Sequence, residues 1–298
     1  STGGGTLEIG AGNNVFRGDN TFTTLGGSQN AITGTYLNSD GGGTRTFNVS
    51  NGTDDVDLLI SAQISNNASI AKTGAGTMEL TGTGSYTGDT TVSEGILSLA
   101  SSYTHTGTGA FIVEGGTLNI ADDVDITSSS MTISLGGVIS PGNSPGTAIT
   151  GNQTWNDGGA YLWEINDMAG GKGVDSGWDW LDIQGTLDIN ATFDILITSL
   201  DLSNNSGLAD GFDTTGLSYL DPYASFIIAT ATGGVTGFDA SAFNLIDSSF
   251  LNPKVGWSIS LDEINNDIVL NAFFVPEPSS TALLGLGGLA LMLRRKRS

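Results

Sequence analysis

The chain has 298 residues, no cysteine and a formal net charge of −22. Residues 1–275 hold 5 basic and 30 acidic residues, a net formal charge of −25, because four of the nine basic residues lie in the last five positions. This charge excludes nucleic acid and anionic lipid headgroups as partners of the folded body. General disorder is excluded by the 38% of apolar residues, many of which alternate with polar ones. Without disulfides, stability must come from burial and backbone pairing.

A pentapeptide that begins with glycine recurs along the first half of the chain. Copies begin at Gly76, Gly95, Gly116 and Gly137, with spacings of 19, 21 and 21 residues. A fixed period near 20, in which the glycine is followed by alternating apolar residues, is typical of a solenoid whose coils stack into one continuous core. We therefore expect Leu80, Leu99 and Ile120 to form one internal column.

Looser copies of the pentapeptide begin at Gly5, Gly43 and Gly185, and the longer intervals before Gly76 indicate coils with insertions. The alternative fold is an ordinary β-sandwich with evenly spaced turns. The repeated spacing of 21 residues favours the solenoid.

Residues 70–99 read IAKTGAGTMELTGTGSYTGDTTVSEGILSL. They resemble the autotransporter-associated β-strand repeat, whose pattern runs K-T-G-x-G-T-L-x-L, then Y-T-G-x-T-x-V, then G-x-L-x-L. The resemblance implies an all-β fold, a right-handed parallel β-helix, at the cell surface.

Three later segments are similar to the C-terminal part of such β-helical passengers. They are the P-G-N-S-P-G turn within residues 139–147, the strand at 179–187 and the final coils at 226–238. We therefore expect one β-helix, with the repeats in residues 1–146 and the last coils and a cap in residues 147–274. Residues 201–222 are expected to form an inserted loop.

Catalytic candidates are few. The single histidine, His105, is the only base available to a Ser–His–Asp triad, and it lies in a polar stretch where we expect a solvated loop side chain. The sequence offers no His/Cys cluster with zinc spacing. Two acidic triplets are interpreted as charged turn residues that keep β-edges from pairing: Asp54, Asp55 and Asp57, and Asp122, Asp123 and Asp125. We expect no catalytic residue and no enzymatic activity.

Carboxylates and tryptophans cluster between residues 155 and 182, where three interpretations stay open. In the first, a glycan stacks on Trp178 and Trp180 and bonds to Asp179 and Asp182. In the second, the oxygen-rich turns at 167–175 or 210–213 hold Ca²⁺, the one cofactor considered. In the third, alternation buries residues 161, 163 and 165 as core while the acids face solvent.

The last 24 residues, 275–298, combine a Pro-Glu-Pro box, an apolar run from 282 to 293 and a basic end. They resemble the PEP-CTERM sorting signal of exported Gram-negative proteins. The resemblance implies recognition and processing by an exosortase at Pro276, Glu277 and Pro278. The cationic residues Arg294, Arg295, Lys296 and Arg297 would stay on the cytoplasmic side. The predicted transmembrane helix is short for a bilayer core of about 30 Å, which favours a transient hold in the inner membrane.

The sequence thus predicts an exported, non-enzymatic β-helical protein of the cell surface or extracellular matrix, associated with exopolysaccharide, biofilm or adhesion. The alternative is a β-helical polysaccharide lyase or hydrolase that uses the clustered carboxylates. Because the chain starts at Ser1 and an exported protein needs a signal peptide, we expect a processed form or a piece of a longer reading frame.

Overall fold

The computed structural model describes residues 4–10, 16–39, 41–212, 224–253 and 255–275. These residues form 31 β-strands and one short 3₁₀ helix, η1 (Ala240–Ala242). Most successive strands of the chain belong to different sheets, and most strands pair in parallel with the strand one coil later. This is the parallel β-helix that the repeat predicts.

Face 1 is the longest sheet and contains ten parallel strands, one from each coil. They are β1 (Thr6–Ile9), β3 (Asn30–Gly34), β6 (Leu58–Ile60), β9 (Thr77–Leu80), β12 (Ile96–Leu99), β15 (Thr117–Ile120), β18 (Val138–Pro141), β21 (Gly159–Ile165), β26 (Phe193–Ser199) and β29 (Phe243–Ser249).

Face 2 contains nine parallel strands, and no register shift interrupts their pairing among the described residues. They are β2 (Asn20–Thr23), β5 (Thr44–Asn48), β8 (Ser69–Thr73), β11 (Thr90–Val92), β14 (Phe111–Glu114), β17 (Met131–Ser134), β20 (Gln153–Trp155), β25 (Leu187–Ile189) and β28 (Val235–Thr236).

Face 3 consists of two sheets in succession. The first holds β4 (Tyr36–Ser39), β7 (Gln63–Asn66), β10 (Thr83–Tyr86) and β13 (Thr104–His105). The second holds β16 (Asp125–Ile126), β19 (Thr147–Thr150), β24 (Trp180–Ile183) and β27 (Ala224–Ala231), followed by β30 (Val255–Asp262) and β31 (Asp267–Phe274). β31 pairs antiparallel with both β27 and β30, so an antiparallel hairpin closes this face.

The core consists of side-chain columns that run along the solenoid. The pairing register places Leu80 beside Leu99 and Leu99 beside Ile120, and all three side chains are buried. Because alternate residues of a strand point to opposite sides, every second residue of each coil joins an inner column. The predicted column is confirmed.

Glycine begins the repeat because the chain turns there against the previous coil. Gly95 has φ +63°, a left-handed conformation that favours glycine. A Cβ at Gly137 would lie 2.1 Å from the Val113 carbonyl oxygen, so no larger residue fits without displacing the backbone. The glycine therefore recurs once per coil, because each coil contains one such turn.

Two looser copies of the repeat lie on a different face from the one the pattern predicts. The copies at Gly76, Gly95, Gly116 and Gly137 lead into face 1, but Gly43 leads into β5 and Gly185 leads into β25, both on face 2. Each face needs an inward-alternating strand after a tight turn, so the same five-residue pattern suits more than one corner of the coil.

All three faces continue across residue 146 without a break, because β18 pairs with β21, β17 with β20 and β16 with β19. Two short strands, β22 (Gly171–Lys172) and β23 (Gly177–Trp178), form an excursion after β21. Of the predicted inserted loop, residues 201–212 are described, and they contain only isolated bridges.

We predict that Leu118→Asp destabilises the protein by several kcal/mol, about 3 or more, because it places an unpaired carboxylate in the inner column of face 1. Thr117→Asp is the matched control, since the adjacent side chain points outward and is half-exposed. Thermal and urea unfolding followed by circular dichroism measure the difference. Equal stability of the two variants would contradict the inner-column assignment.

Candidate functional site

Strand β21 supplies core residues to the tryptophan-rich region. Tyr161, Trp163 and Ile165 are all 0% exposed. The Trp163 Nε1–H donates to the Asp179 carbonyl at 3.0 Å, and the Tyr161 hydroxyl donates to the Ile228 carbonyl at 3.1 Å. The interpretation that alternation buries these three residues is confirmed, but its second half, that the acids face solvent, is wrong for Glu164 and Asp179, which are buried.

Trp180 and Asp182 lie on the outer side of the coil and are half-buried, whereas the half-buried Trp178 packs against the core with its ring edge-on to that of Phe226. Both indole N–H groups donate within the scaffold, Trp178 to the Ile227 carbonyl at 3.0 Å and Trp180 to the Thr230 hydroxyl at 3.1 Å. The Lys172 ammonium lies 3.9 Å from the centroid of the Trp180 ring. This group therefore combines aromatic, anionic and cationic surface within one short segment.

Asp179 lies between the two tryptophans in sequence, but its side chain is fully buried. One carboxylate oxygen accepts from the Gly146 N–H at 2.8 Å, and the other accepts from the Glu164 N–H at 2.9 Å. Burial, followed by the charge of Glu164, raises the pKa of Asp179 well above its ordinary value, while the two backbone hydrogen bonds oppose that shift. A glycan at the surface does not reach this carboxylate, because the alternation that turns Trp180 outward turns Asp179 inward.

Glu164 and Asp122 complete a set of carboxylates around the turn at 141–146. The Ser144 hydroxyl donates to Glu164, and Asp122 accepts from the Thr147 N–H at 2.7 Å. Burial raises the pKa of Glu164. Two neighbouring carboxyl groups with raised pKa values are the arrangement used in acid–base catalysis, but here their oxygens bind the turn.

His105 lies in strand β13, and the expectation of a solvated loop histidine is wrong. It is half-buried, with Nδ1 3.1 Å from the Tyr103 hydroxyl and Nε2 2.9 Å from the Ser129 hydroxyl. Burial lowers its pKa to about 4, so the ring is neutral at physiological pH. Nε2 is engaged with Ser129 in the next coil, which sequence spacing alone could not reveal, whereas Tyr103 lies two residues away in the same coil.

Lys72, the lysine of the K-T-G motif, occupies an inner column of face 2 between Phe47 and Val92. Its side chain is buried, and Nζ donates to three carbonyls, those of Thr73 at 3.2 Å, Gly74 at 2.7 Å and Glu94 at 2.9 Å. Burial lowers the pKa of Lys72 to about 8. The K-T-G motif by itself predicts no role for this lysine.

The interpretation of the first acidic triplet as charged turn residues that keep β-edges from pairing is wrong for Asp57. It is only 2% exposed, and its two oxygens accept from the Gly52 N–H at 2.6 Å and the Thr77 N–H at 2.8 Å. It binds two turns in adjacent coils together, as Asp54 does by accepting from the Gln29 N–H at 2.6 Å.

In the oxygen-rich turns, side-chain oxygens accept hydrogen bonds from other groups of the protein. Asn166 donates to Asp175 and to Asn204, both at 2.7 Å, and Asp167 accepts from the Ala169 N–H at 2.8 Å. Within the described parts of the chain, no group of three or more His, Cys, Asp or Glu residues is arranged to hold a metal ion. Asp213, at the end of the second predicted turn, lies outside these parts.

Two family models match the chain. The passenger-associated-transport-repeat matches residues 70–99, which span β8 to β12, and the PEP-CTERM protein-sorting motif matches residues 274–297. Both resemblances are thereby confirmed. No curated protein matches the chain.

These matches indicate an exported β-helical protein of the cell surface or extracellular space, and the sorting motif implies processing by exosortase, a membrane protease. The Pro-Glu-Pro box, the apolar run and the basic end at 276–298 lie outside the described residues. No helix in the described ranges has the length and apolar character needed to cross a membrane.

We predict that Lys72→Met lowers the free energy of unfolding by about 2–4 kcal/mol, because three carbonyls lose a charged donor. The exposed Lys172→Met is the matched control. Folding lowers the pKa of Lys72 from 10.5 to about 8. Between these pH values Lys72 is therefore protonated in the unfolded chain and largely neutral in the folded protein. Wild-type stability relative to Lys72→Met should therefore rise as pH increases from 8 to 10.5. Denaturant unfolding at pH 7 and pH 10 tests both statements, and a Lys72→Met protein as stable as its control would contradict them.

We predict that the protein isolated from its native host lacks the segment beyond the Pro-Glu-Pro box. Intact-mass measurement of the surface fraction gives the C-terminus directly. Replacing Pro276, Glu277 and Pro278 by alanine should block processing, whereas Pro253→Ala should not. A surface species that still ends at Ser298 would contradict the prediction, and unchanged processing after neutralising Arg294–Arg297 would remove the role of the basic cluster.

Proposed function

We propose that this exported β-helix is a non-enzymatic structural protein that associates with extracellular polysaccharide through its outer surface. The observation that carries the proposal is the position of the reactive groups. The side chains best suited to catalysis bind the scaffold, while short polar side chains and Trp180 face outward.

The buried groups support a structural role. Asp179 accepts from two backbone N–H groups, His105 has a partner at each ring nitrogen, and Lys72 donates to three carbonyls. Each of these contacts joins neighbouring coils or fixes a turn. A substrate would have to displace bonds on which the fold depends.

The segment 172–182 is the part of the outer surface best suited to a sugar. Aromatic rings stack on pyranose faces, and carboxylates accept hydrogen bonds from sugar hydroxyls. Trp180 and Asp182 offer both kinds of contact, and the Lys172 ammonium adds a partner for an acidic sugar. The net charge of −22 disfavours strong binding to a polyanion, so the proposal favours a neutral or weakly acidic polysaccharide.

The competing proposal is a polysaccharide lyase or hydrolase, which the raised pKa values of Glu164 and Asp179 favour. Glu164 is 9% exposed and Asp179 is fully buried. A glycosidase needs one carboxyl on each side of the scissile bond, with the bond between them. In this chain the turn at 141–146 lies beside both groups, with the Ser144 hydroxyl at Glu164 and the Gly146 N–H at Asp179.

We predict that the full chain is retained by exopolysaccharide from its native host in affinity electrophoresis. Trp180→Ala and Asp182→Ala should weaken retention by about fivefold, since truncating a central aromatic contact typically costs more than 1 kcal/mol. Tyr36→Ala, which removes an aromatic side chain that is 40% exposed in β4, is the matched control. Melting temperatures of the variants verify that each is folded.

The same polysaccharide serves as the cleavage substrate. We expect no new reducing ends and no unsaturated product. Product that forms with the wild type and disappears with Glu164→Gln or Asp179→Asn would overturn the proposal in favour of the lyase or hydrolase. Equal retention of wild type, Trp180→Ala and Asp182→Ala would remove the assignment of the contact surface.

A further inference from the structure

Lys172 is an exposed cation on a strongly acidic chain. In the described parts of the chain, Lys172 and Arg17 are the exposed basic residues, whereas Arg45 and Lys72 are buried against backbone carbonyls. Although the chain has a net charge of −22, the Lys172 ammonium makes no ion pair and no hydrogen bond with any described residue. It lies over the Trp180 ring, 3.9 Å from the ring centroid. Its N–H donors therefore remain open to an external acceptor.

The backbone beside Lys172 is bonded to the scaffold, whereas the Lys172 side chain is not. The Gly173 N–H donates to the Trp178 carbonyl at 2.6 Å, and the Thr147 hydroxyl donates to the Gly173 carbonyl at 2.8 Å. A Cβ at Gly173 would lie 3.2 Å from Cε3 of Trp180, so the backbone packs closely against the indole at this point. Rotation of the Lys172 side chain can therefore move the ammonium off the ring while the excursion formed by β22 and β23 stays in place.

The Trp180 ring is held by a chain of two hydrogen bonds. Its Nε1–H donates to the Thr230 hydroxyl at 3.1 Å, and that hydroxyl donates to Asp267 at 2.6 Å. Asp267 is buried, so the chain ends inside the sheet of face 3. The ring is thus a fixed platform. The ammonium occupies the position over it where a stacked sugar would lie, because carbon atoms in contact are about 3.5–4.0 Å apart.

We propose that Lys172 makes the Trp180 platform selective for acidic sugars, such as the uronates of a weakly acidic polysaccharide; this selectivity rests on the polysaccharide contact proposed above. To stack on the ring, a sugar has to displace the ammonium. A neutral sugar then loses the attraction between ammonium and indole, which at an exposed site is worth a factor of about two to five in affinity. A uronate replaces that attraction by an ion pair with the displaced ammonium.

The charge of the whole chain limits which acidic polymer fits. A polymer with a carboxylate on every sugar is repelled by the acidic surface of the protein. A polymer with widely spaced uronates meets less of this repulsion and still offers a carboxylate to Lys172. The structure therefore favours sparse acidic sugars in an otherwise neutral polysaccharide.

Affinity electrophoresis of the full chain in two gels tests the selectivity. One gel contains xanthan, which carries glucuronate in its side chains, and the other contains carboxyl-reduced xanthan, in which the carboxylates have become primary alcohols. The measured quantity is the ratio of retention by xanthan to retention by the reduced polymer. Physiological salt screens most of the long-range repulsion between protein and polymer.

Lys172→Ala should lower this ratio by about two- to fivefold. We expect weaker retention by xanthan, which loses the ion pair, and stronger retention by the reduced polymer, which finds the ring uncovered. Arg17→Ala is the matched control, because it removes another exposed positive charge and should leave the ratio unchanged. Lys172→Arg should keep the ratio, since a guanidinium also lies on aromatic faces and pairs with carboxylates. Melting temperatures verify that each variant is folded.

An unchanged ratio in Lys172→Ala would overturn the proposal, as would an equal fall in Arg17→Ala. Equal losses of Lys172→Ala on both polymers would make Lys172 a structural support of the ring and would also overturn it. A third gel with exopolysaccharide from the native host separates the two proposals. Retention there, without any effect of Lys172→Ala on the xanthan ratio, would leave the polysaccharide contact standing and remove the selectivity, whereas no retention by any polymer would remove both.

Discussion

Each coil is held to the next by parallel backbone hydrogen bonds, and the register of this pairing decides where every side chain lies. A shift of one residue would turn Leu80, Leu99 and Ile120 outward and bring their polar neighbours into the core. The same register lines up the outward residues of face 2. Core, turns and outer surface therefore follow from one constraint, which is repeated along ten strands of face 1.

Buried charged side chains are the main energetic problem of this fold, because the interior of a parallel β-helix has little room for ionised groups. The chain resolves it by binding buried charges to backbone at the turns. Lys72 donates to three backbone carbonyls, and Asp57 and Asp179 each accept from two backbone N–H groups. Arg45 likewise donates to the carbonyls of Phe16 and Gly18. Backbone N–H and C=O groups in the turns have no partner in a neighbouring strand. The buried charged side chains supply the hydrogen bonds that these groups need.

The proposed function is divided between the tail and the outer surface. The sorting motif at 274–297 and the passenger repeat at 70–99 indicate that the chain is exported. The folded body then meets its surroundings through side chains that the core does not need. Those on segment 172–182 combine aromatic, anionic and cationic groups.

The sequence by itself determined the solenoid, its inner column and the sorting tail. Glycine turns and period-two alternation are local properties, and the tail is recognised from contiguous residues. It did not determine which face the copies at Gly43 and Gly185 join, nor the burial of Asp57, Asp179 and His105. Those depend on residues one coil away, such as Thr77 for Asp57 and Ser129 for His105. Only the tertiary structure brings such pairs together, because the number of residues between corners differs from coil to coil. That number decides which polar side chain lies beside which hydrogen-bond partner in the next coil.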